Sequence, residues 1–166
     1  MNNVVMSRVD ARLVHGQVAV RWSKVTHAEQ IIVVDDKTAK DDFLTEVLLL
    51  AAPPGIQTIV MFVDDAVAKF TSEEGFGPKN TFFVFPSVET AKRAWDGGLK
   101  FEFVNIGQQP KAPGRVRVNN TVQLSQQDID DLKELDAAGV EVFFHPTPED
   151  MRVDLPIVIK RFEEAK

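Results

Sequence analysis

Arg8, Asp10, Arg12 and His15 fall within one eight-residue stretch, Arg8-Val9-Asp10-Ala11-Arg12-Leu13-Val14-His15, which runs directly into Gly16-Gln17-Val18. A histidine nitrogen can act as a nucleophile, and its neutral form is accessible near pH 7. Arginine adds a planar, permanently charged fork that matches phosphate oxygens. Gly16 and Gln17 stand where a helix would open. The first N–H groups of a helix have no partner inside it and favour an anion. Together these parts would make a phosphorylatable histidine, with His15 as acceptor and Arg12, Gly16 and Gln17 holding the phosphate. The plainer reading is a solvated loop histidine, with Arg8 in a rim salt bridge and Asp10 orienting Arg12 or capping the turn. The same loop could instead hold an anionic ligand with no covalent step.

Other chemistry-bearing residues carry weaker signals. His145 leaves a strand at its carboxyl end, on the same rim as His15, but His145-Pro146-Thr147-Pro148 reads first as a stiff turn. His27 lies at the far end of the first helix and reads as structural or solvated. Gly107, in Asn105-Ile106-Gly107-Gln108, either lets the backbone approach the His15 loop or makes a plain turn. Asp35-Asp36 and Asp64-Asp65 are carboxylate pairs at strand ends. An aspartyl-phosphate receiver would place its acids after the first strand, where Arg12 and His15 stand instead. Asp64-Asp65 suits the cap of a helix from Ala66. Lys111, Arg115 and Arg117 read as edge charges or a small basic face. Trp22 and Trp95 read as core. No Gly-x-Gly-x-x-Gly or P-loop run is present, and no metal site or cofactor is indicated.

The elements that must position these residues alternate regularly. Strand patterns occur at Val4–Met6, Ile31–Val34, Thr58–Val63, Thr81–Phe85, Phe103–Ile106 and Val140–Phe144. Ile31–Val34 is apolar throughout, as a strand buried on both faces requires. Helical patterns fall between them, at Gly16–Lys24, Asp41–Ala52, Asp64–Phe70, from Ser87 to Gly97-Gly98, Ser125–Ala138 and after Leu155. This alternation predicts an α/β fold in one domain spanning 1–166: a mostly parallel open sheet with helices on both faces. Gln108–Leu124 breaks the rhythm and predicts a loop with a hairpin or one antiparallel strand. In such a sheet, ligands sit beyond the carboxyl ends of the strands, which is where the His15 stretch lies. The apolar face of Ile157, Val158 and Phe162 packs either internally or against a second copy.

The chain has 166 residues, 44% hydrophobic and 27% charged, an ordinary globular composition. Twenty-five acids against 19 bases give a formal charge of −6, which argues against nucleic acid as a partner. The absence of cysteine removes disulfides, thiolate metal sites and thiol nucleophiles. No apolar run is long enough to span a bilayer, and the start lacks the pattern of a signal peptide, so a cytoplasmic chain is expected.

The run Ser7-Arg8-Val9-Asp10-Ala11-Arg12-Leu13-Val14-His15-Gly16-Gln17-Val18, followed by Trp22, resembles the active-site motif of the IIB components of the mannose/sorbose family of the sugar phosphotransferase system. The likeness continues through Ile31–Asp36, the Ala52-Pro53-Pro54-Gly55 turn, Gly97-Gly98, Val104–Gly107, Val118–Val122 and Asp136–Glu141, covering nearly the whole chain. It implies that Nδ1 of His15 accepts a phosphoryl group from a phosphohistidine of the IIA component. The group would then pass to a sugar imported by the membrane IIC and IID components, with this chain at the cytoplasmic face. By the same resemblance Arg12 binds the phosphoryl group and Asp10 orders the loop, and no metal takes part. Ala11 departs from many members, which carry a second acid there. The opening Asn3–Arg8 looks closest to the amino-sugar branch, such as N-acetylgalactosamine transporters.

Overall fold

Strand β1 (Asn2–Asp10) leads to helix α1 (Gly16–Thr26), then β2 (Gln30–Val34), a short α2 (Asp36–Ala39) and α3 (Asp42–Leu50). Next come β3 (Gln57–Met61), α4 (Val63–Thr71), β4 (Gly77–Phe85), α5 (Val88–Gly97) and β5 (Phe103–Gln108). A hairpin of β6 (Val116–Asn119) and β7 (Val122–Leu124) precedes α6 (Gln126–Ala137), β8 (Glu141–Phe144), β9 (Val153–Asp154) and α7 (Leu155–Ala165). The computed structural model describes residues 1–166, apart from the side chain of Gln17.

Seven strands form one sheet in the order β3-β2-β4-β1-β5-β8-β9, all parallel except β9, which runs antiparallel to β8. Leaving β1, the chain moves outward to β2 and β3, returns to β4 beside β1, then crosses over β1 to β5 and β8. Right-handed crossovers in opposite directions place their helices on opposite faces. The core divides accordingly. Ile31 and Val33 of β2 join Phe82 and Val84 of β4 under Trp22 of α1 and Leu48 of α3. Their neighbours Ile32, Val34, Phe83 and Phe85 point the other way, against residues of α4, α5, α6 and α7. The two-residue alternation of a strand is therefore visible in which core each residue enters.

Helix starts follow the sequence. Ser87 accepts from Thr90 N, and Ser125 with Asp128 closes a reciprocal capping box on α6. Two readings need correction, the end of the third strand and the cap of the helix after it. β3 ends at Met61, and α4 begins at Val63 with no side-chain cap of its own. Asp64 and Asp65 lie inside its first turn, and Val63 N donates instead to Asp36 Oδ1 at 2.8 Å. The expected hairpin forms as a separate antiparallel pair, and the antiparallel strand of the main sheet is β9, too short to leave a periodic pattern. On α7, Leu155, Val158 and Phe162 are buried within this chain while Ile157 stays exposed, so most of that helix's apolar face packs internally.

β1 occupies the middle of the sheet, between β4 and β5. Its carboxyl end opens at the point where successive connections leave in opposite directions, the crevice in which open α/β sheets place their sites.

Candidate functional site

Met6, Arg8 and Asp10 alternate along β1 and share the face that α1 covers, so two charged side chains continue a core row. Asp10 is 1% exposed. Its Oδ1 accepts from the Arg12 backbone N–H (3.0 Å) and from Arg12 Nε (3.1 Å). Its Oδ2 accepts from Arg12 Nη2 (3.1 Å) and Arg8 Nη2 (3.3 Å). The turn that follows closes with Leu13 N donating to Asp10 O at 2.9 Å. Leu13 holds a left-handed conformation, φ 59°, which costs a branched side chain about 1 kcal/mol and shows how tightly the loop is determined.

Arg8 is not the rim salt bridge that its charge suggests. It is 3% exposed, and its guanidinium also donates to the carbonyls of His145 (3.1 Å) and Pro146 (2.9 Å). Trp22 Nε1 donates to the same Pro146 oxygen (3.0 Å), so α1, β1 and the turn after β8 meet at one point. Burial lowers the Arg8 pKa to about 10, against the opposing pull of Asp10, which leaves it cationic at neutral pH. Gly107 serves this guanidinium. A Cβ built on Gly107 would lie 2.0 Å from Arg8 Nη2, so the bare backbone makes room for Arg8 rather than for the His15 loop. His145 lies nearby but contributes its backbone. Its N–H donates to Asn105 Oδ1, its ring packs edge-on against Trp22 at 5.0 Å, and its Nε2 pairs with the Asp150 carbonyl at 2.8 Å. His27 caps the far end of α1.

His15 is the N-cap residue of α1 in extended conformation, and its side chain makes no capping bond. Its imidazole is 29% exposed, with Nε2 turned inward, 3.6 Å from Asp10 Oδ2. That separation is too long for a hydrogen bond and short enough for strong electrostatic influence. Desolvation pulls the His15 pKa below 6.5, Arg12 and Arg8 act in the same direction, and Asp10 opposes them. The ring is therefore neutral near pH 7. One carboxylate against two guanidinium groups leaves one positive charge in excess around it. The first turn of α1 carries no acidic residue, so the positive end of the helix dipole adds to that excess. Gly16 sits at the helix opening with φ 41°. The expected role of the Gln17 side chain lies outside the described residues.

Arg12, with its side chain 43% exposed, stands between two depressions. One, of about 320 Å³, runs from His15 and Leu13 along Leu44, Val47 and Leu48 of the α3 side. The other, of about 290 Å³, lies toward the hairpin and is lined by Gln108, Gln109, Lys111, Asn120 and Gln123. These residues fall in Gln108–Leu124, which the sequence marks as a loop with a hairpin, with no role read for their amides. Lys111 borders this cleft, whereas Arg115 turns to Pro110 O and Asp128 and Arg117 to Asn120 O. The carboxylate pair at the end of β2 divides its work: Asp35 caps α2 and Asp36 pairs with Arg93. Among the described residues no cluster of three or more His, Cys, Asp or Glu could hold a metal ion. Among them, too, no helix is long and apolar enough to cross a membrane.

Residues 4–166 match the family model described as PTS system sorbose subfamily IIB component. The chain is 31% identical over 159 residues to the PTS system mannose-specific EIIAB component of Escherichia coli (strain K12), covering 96% of this chain and 49% of that protein. It thus spans about half the length of that relative. It is also 31% identical over 152 residues to the PTS system sorbose-specific EIIB component of Klebsiella pneumoniae, covering 92% of each. The crystal structure of the IIBSor domain of the sorbose permease from Klebsiella pneumoniae superposes with a TM-score of 0.90 at 29% identity, over 99% of both chains.

Proposed function

The chain belongs to the sorbose subfamily of phosphotransferase-system IIB components, and on that premise we propose that His15 is its phosphoryl acceptor. In this reading Nδ1 takes the group from a phosphohistidine of a IIA component and gives it to a sugar carried by the membrane IIC and IID components. The observation that carries the reading is the inward turn of His15 Nε2 toward Asp10, 3.6 Å away, in a setting with one positive charge in excess. A carboxylate on that side favours the tautomer protonated at Nε2, which leaves the lone pair on Nδ1. That lone pair attacks phosphorus as the donor's N–P bond breaks. The bonding electrons remain on the donor imidazole, which takes up a proton.

Phosphoryl transfer asks the protein for in-line positioning and for neutralisation of spread charge. Arg12 supplies the mobile cation. It rests on Asp10 through its side chain and its backbone N–H, and it lines the same depression as His15. Gly16 and Gln17 supply amides at the opening of α1. Asp10 sets the tautomer, and Arg8 holds Asp10. Identity is the same, 31%, to the mannose and the sorbose relatives, so it singles out no sugar.

Incubation with phosphoenolpyruvate, enzyme I, HPr and a IIA component should add about 80 Da to the intact protein, as one phosphoryl group does. The increment is acid-labile and absent from His15→Ala. An unchanged mass would overturn the reading in favour of a loop that binds an anion without covalent chemistry.

A further inference from the structure

We propose that the exposed face of α3, beside His15, is the docking surface for the membrane component that carries the sugar, which meets it with an apolar patch ringed by lysine and arginine; this rests on His15 being the phosphoryl carrier. Along the helix Phe43, Val47 and Leu50 recur at i, i+4 and i+7 and so form one stripe. Leu48 points away from it and is buried with Trp22 and Val84. The stripe has no such cover: Phe43 is 71% exposed, Val47 49% and Leu50 82%. With Leu49, this nine-residue helix holds four of the nine large apolar side chains left exposed among the described residues. Scattered singly, such side chains are ordinary; gathered on one helix, they mark an interaction face.

Position and charge select the occupant. Val47, with Leu44 and Ala51, also lines the depression shared by Arg12 and His15, so the stripe runs directly into the phosphoryl site. A body seated on α3 therefore covers His15, and two bodies must cover it in turn, the phosphoryl donor and the carrier of the sugar. Between Asp35 and Ala52 the acids Asp35, Asp36, Asp41, Asp42 and Glu46 stand against only Lys37 and Lys40, and α3 itself holds no base. The donor arrives bearing the phosphoryl anion, which acids beside its approach repel. The membrane component arrives when the phosphoryl group is already on His15. Cytoplasmic loops of membrane proteins carry an excess of lysine and arginine. Those cations are drawn both by the acids of α3 and by the phosphoryl oxygens. Anionic lipid headgroups are repelled as the donor is, so the lipid surface itself is not the occupant.

The face is also held firmly. Asp41 caps α3, its Oδ1 accepting from Phe43 N and Leu44 N at 3.1 Å each, and Thr45 Oγ1 donates to Thr38 O at 2.7 Å, tying α3 to α2. None of these bonds uses the side chains of the stripe, so the stripe can be changed while its helix stays in place.

The test sets the full chain against proteoliposomes of phosphatidylethanolamine and phosphatidylglycerol holding the cognate IIC and IID components, with protein-free liposomes of the same lipids beside them. The chain should co-sediment with the proteoliposomes and not with lipid alone. Phe43→Ser combined with Leu50→Ser should weaken that binding, and raise the apparent KM for the chain in sugar phosphorylation, at least about tenfold, the worth of burying one such side chain. Phosphorylation of the double variant by the IIA component should keep the wild-type rate, which also reports its folding. Ile157→Ser, which trims an exposed apolar side chain of α7, should change neither. Glu46→Lys should weaken binding about two- to fivefold at low salt. Wild-type binding by the double variant or by Glu46→Lys would overturn the docking face. So would equal binding to protein-free liposomes, a loss confined to phosphorylation by IIA, or a wild-type dimer that the double variant splits. Should the double variant lose every activity, Glu46→Lys decides. Co-sedimentation needs no phosphoryl group, and phosphorylation of His15 is read separately by mass. A chain that takes the phosphoryl group and ignores the proteoliposomes thus removes only the docking face, whereas an unchanged mass removes the carrier and the face with it.

Discussion

The ends of β1 and β2 carry the same parts, an aspartate with an arginine, and use them differently. At β1, Asp10 is sealed from water and fixes a loop through Arg8 and Arg12. At β2, the Asp36 side chain is 41% exposed, pairs with Arg93 across the surface and caps α4 through Val63 N. The difference is position in the sheet. β1 is central and roofed by α1, whereas Asp36 stands at the mouth of a strand nearer the edge. Burial makes a charge pair costly to disrupt and geometrically strict, whereas exposure leaves it screened and weak.

Arg8→Ala sharpens this contrast most. It leaves Asp10 short of a buried cation and frees two carbonyls, so unfolding in urea should show a loss of about 3–5 kcal/mol. A loss near that of an exposed pair would erase the distinction. Next, Arg12→Ala should slow phosphorylation of His15 about 10²–10³-fold, the effect of removing one charge-stabilising donor, with an unchanged circular dichroism spectrum. Near-normal transfer would remove Arg12 from the mechanism. Gly107→Ala should cost about 1–3 kcal/mol by driving a methyl group into the guanidinium of Arg8. Combined with Arg8→Ala it should cost less than the sum, because both act on one contact.

Acidity gives a finer test. Because the His15 pKa lies below 6.5, the neutral acceptor persists as pH falls through that value, and the acid limb of the phosphorylation rate should lie below it. The unfolded chain takes its proton first, so this group costs stability as pH drops from about 6.5 toward the folded value. Asp10→Asn removes an influence that raises the pKa and should move the His15 titration, followed by ring-proton NMR, further down. Asp36→Asn should leave it in place. The smallest effect belongs to Arg93→Ala, at about 0–1 kcal/mol in the same urea experiment.

The stretch from Arg8 to Gly16 was legible because chemistry and spacing coincide there, and the alternation of elements was enough to announce a doubly covered parallel sheet. What stayed hidden depends on neighbours distant in sequence. Arg8 looks like a surface residue until β1 is known to be central and its row to continue from buried Met6. Gly107 reads as a turn or as a close approach to the His15 loop because its real constraint, the guanidinium of Arg8, comes from another strand. β9 has two residues and α2 four, too few for either period to register. Asp36 capping a helix 27 positions away leaves no local trace.

The hairpin is its own small sheet, outside the seven-stranded one, and its tip at Asn119-Asn120 faces solvent. A lineage can therefore exchange the letters at that tip without repacking either core or unsettling the carboxylate below.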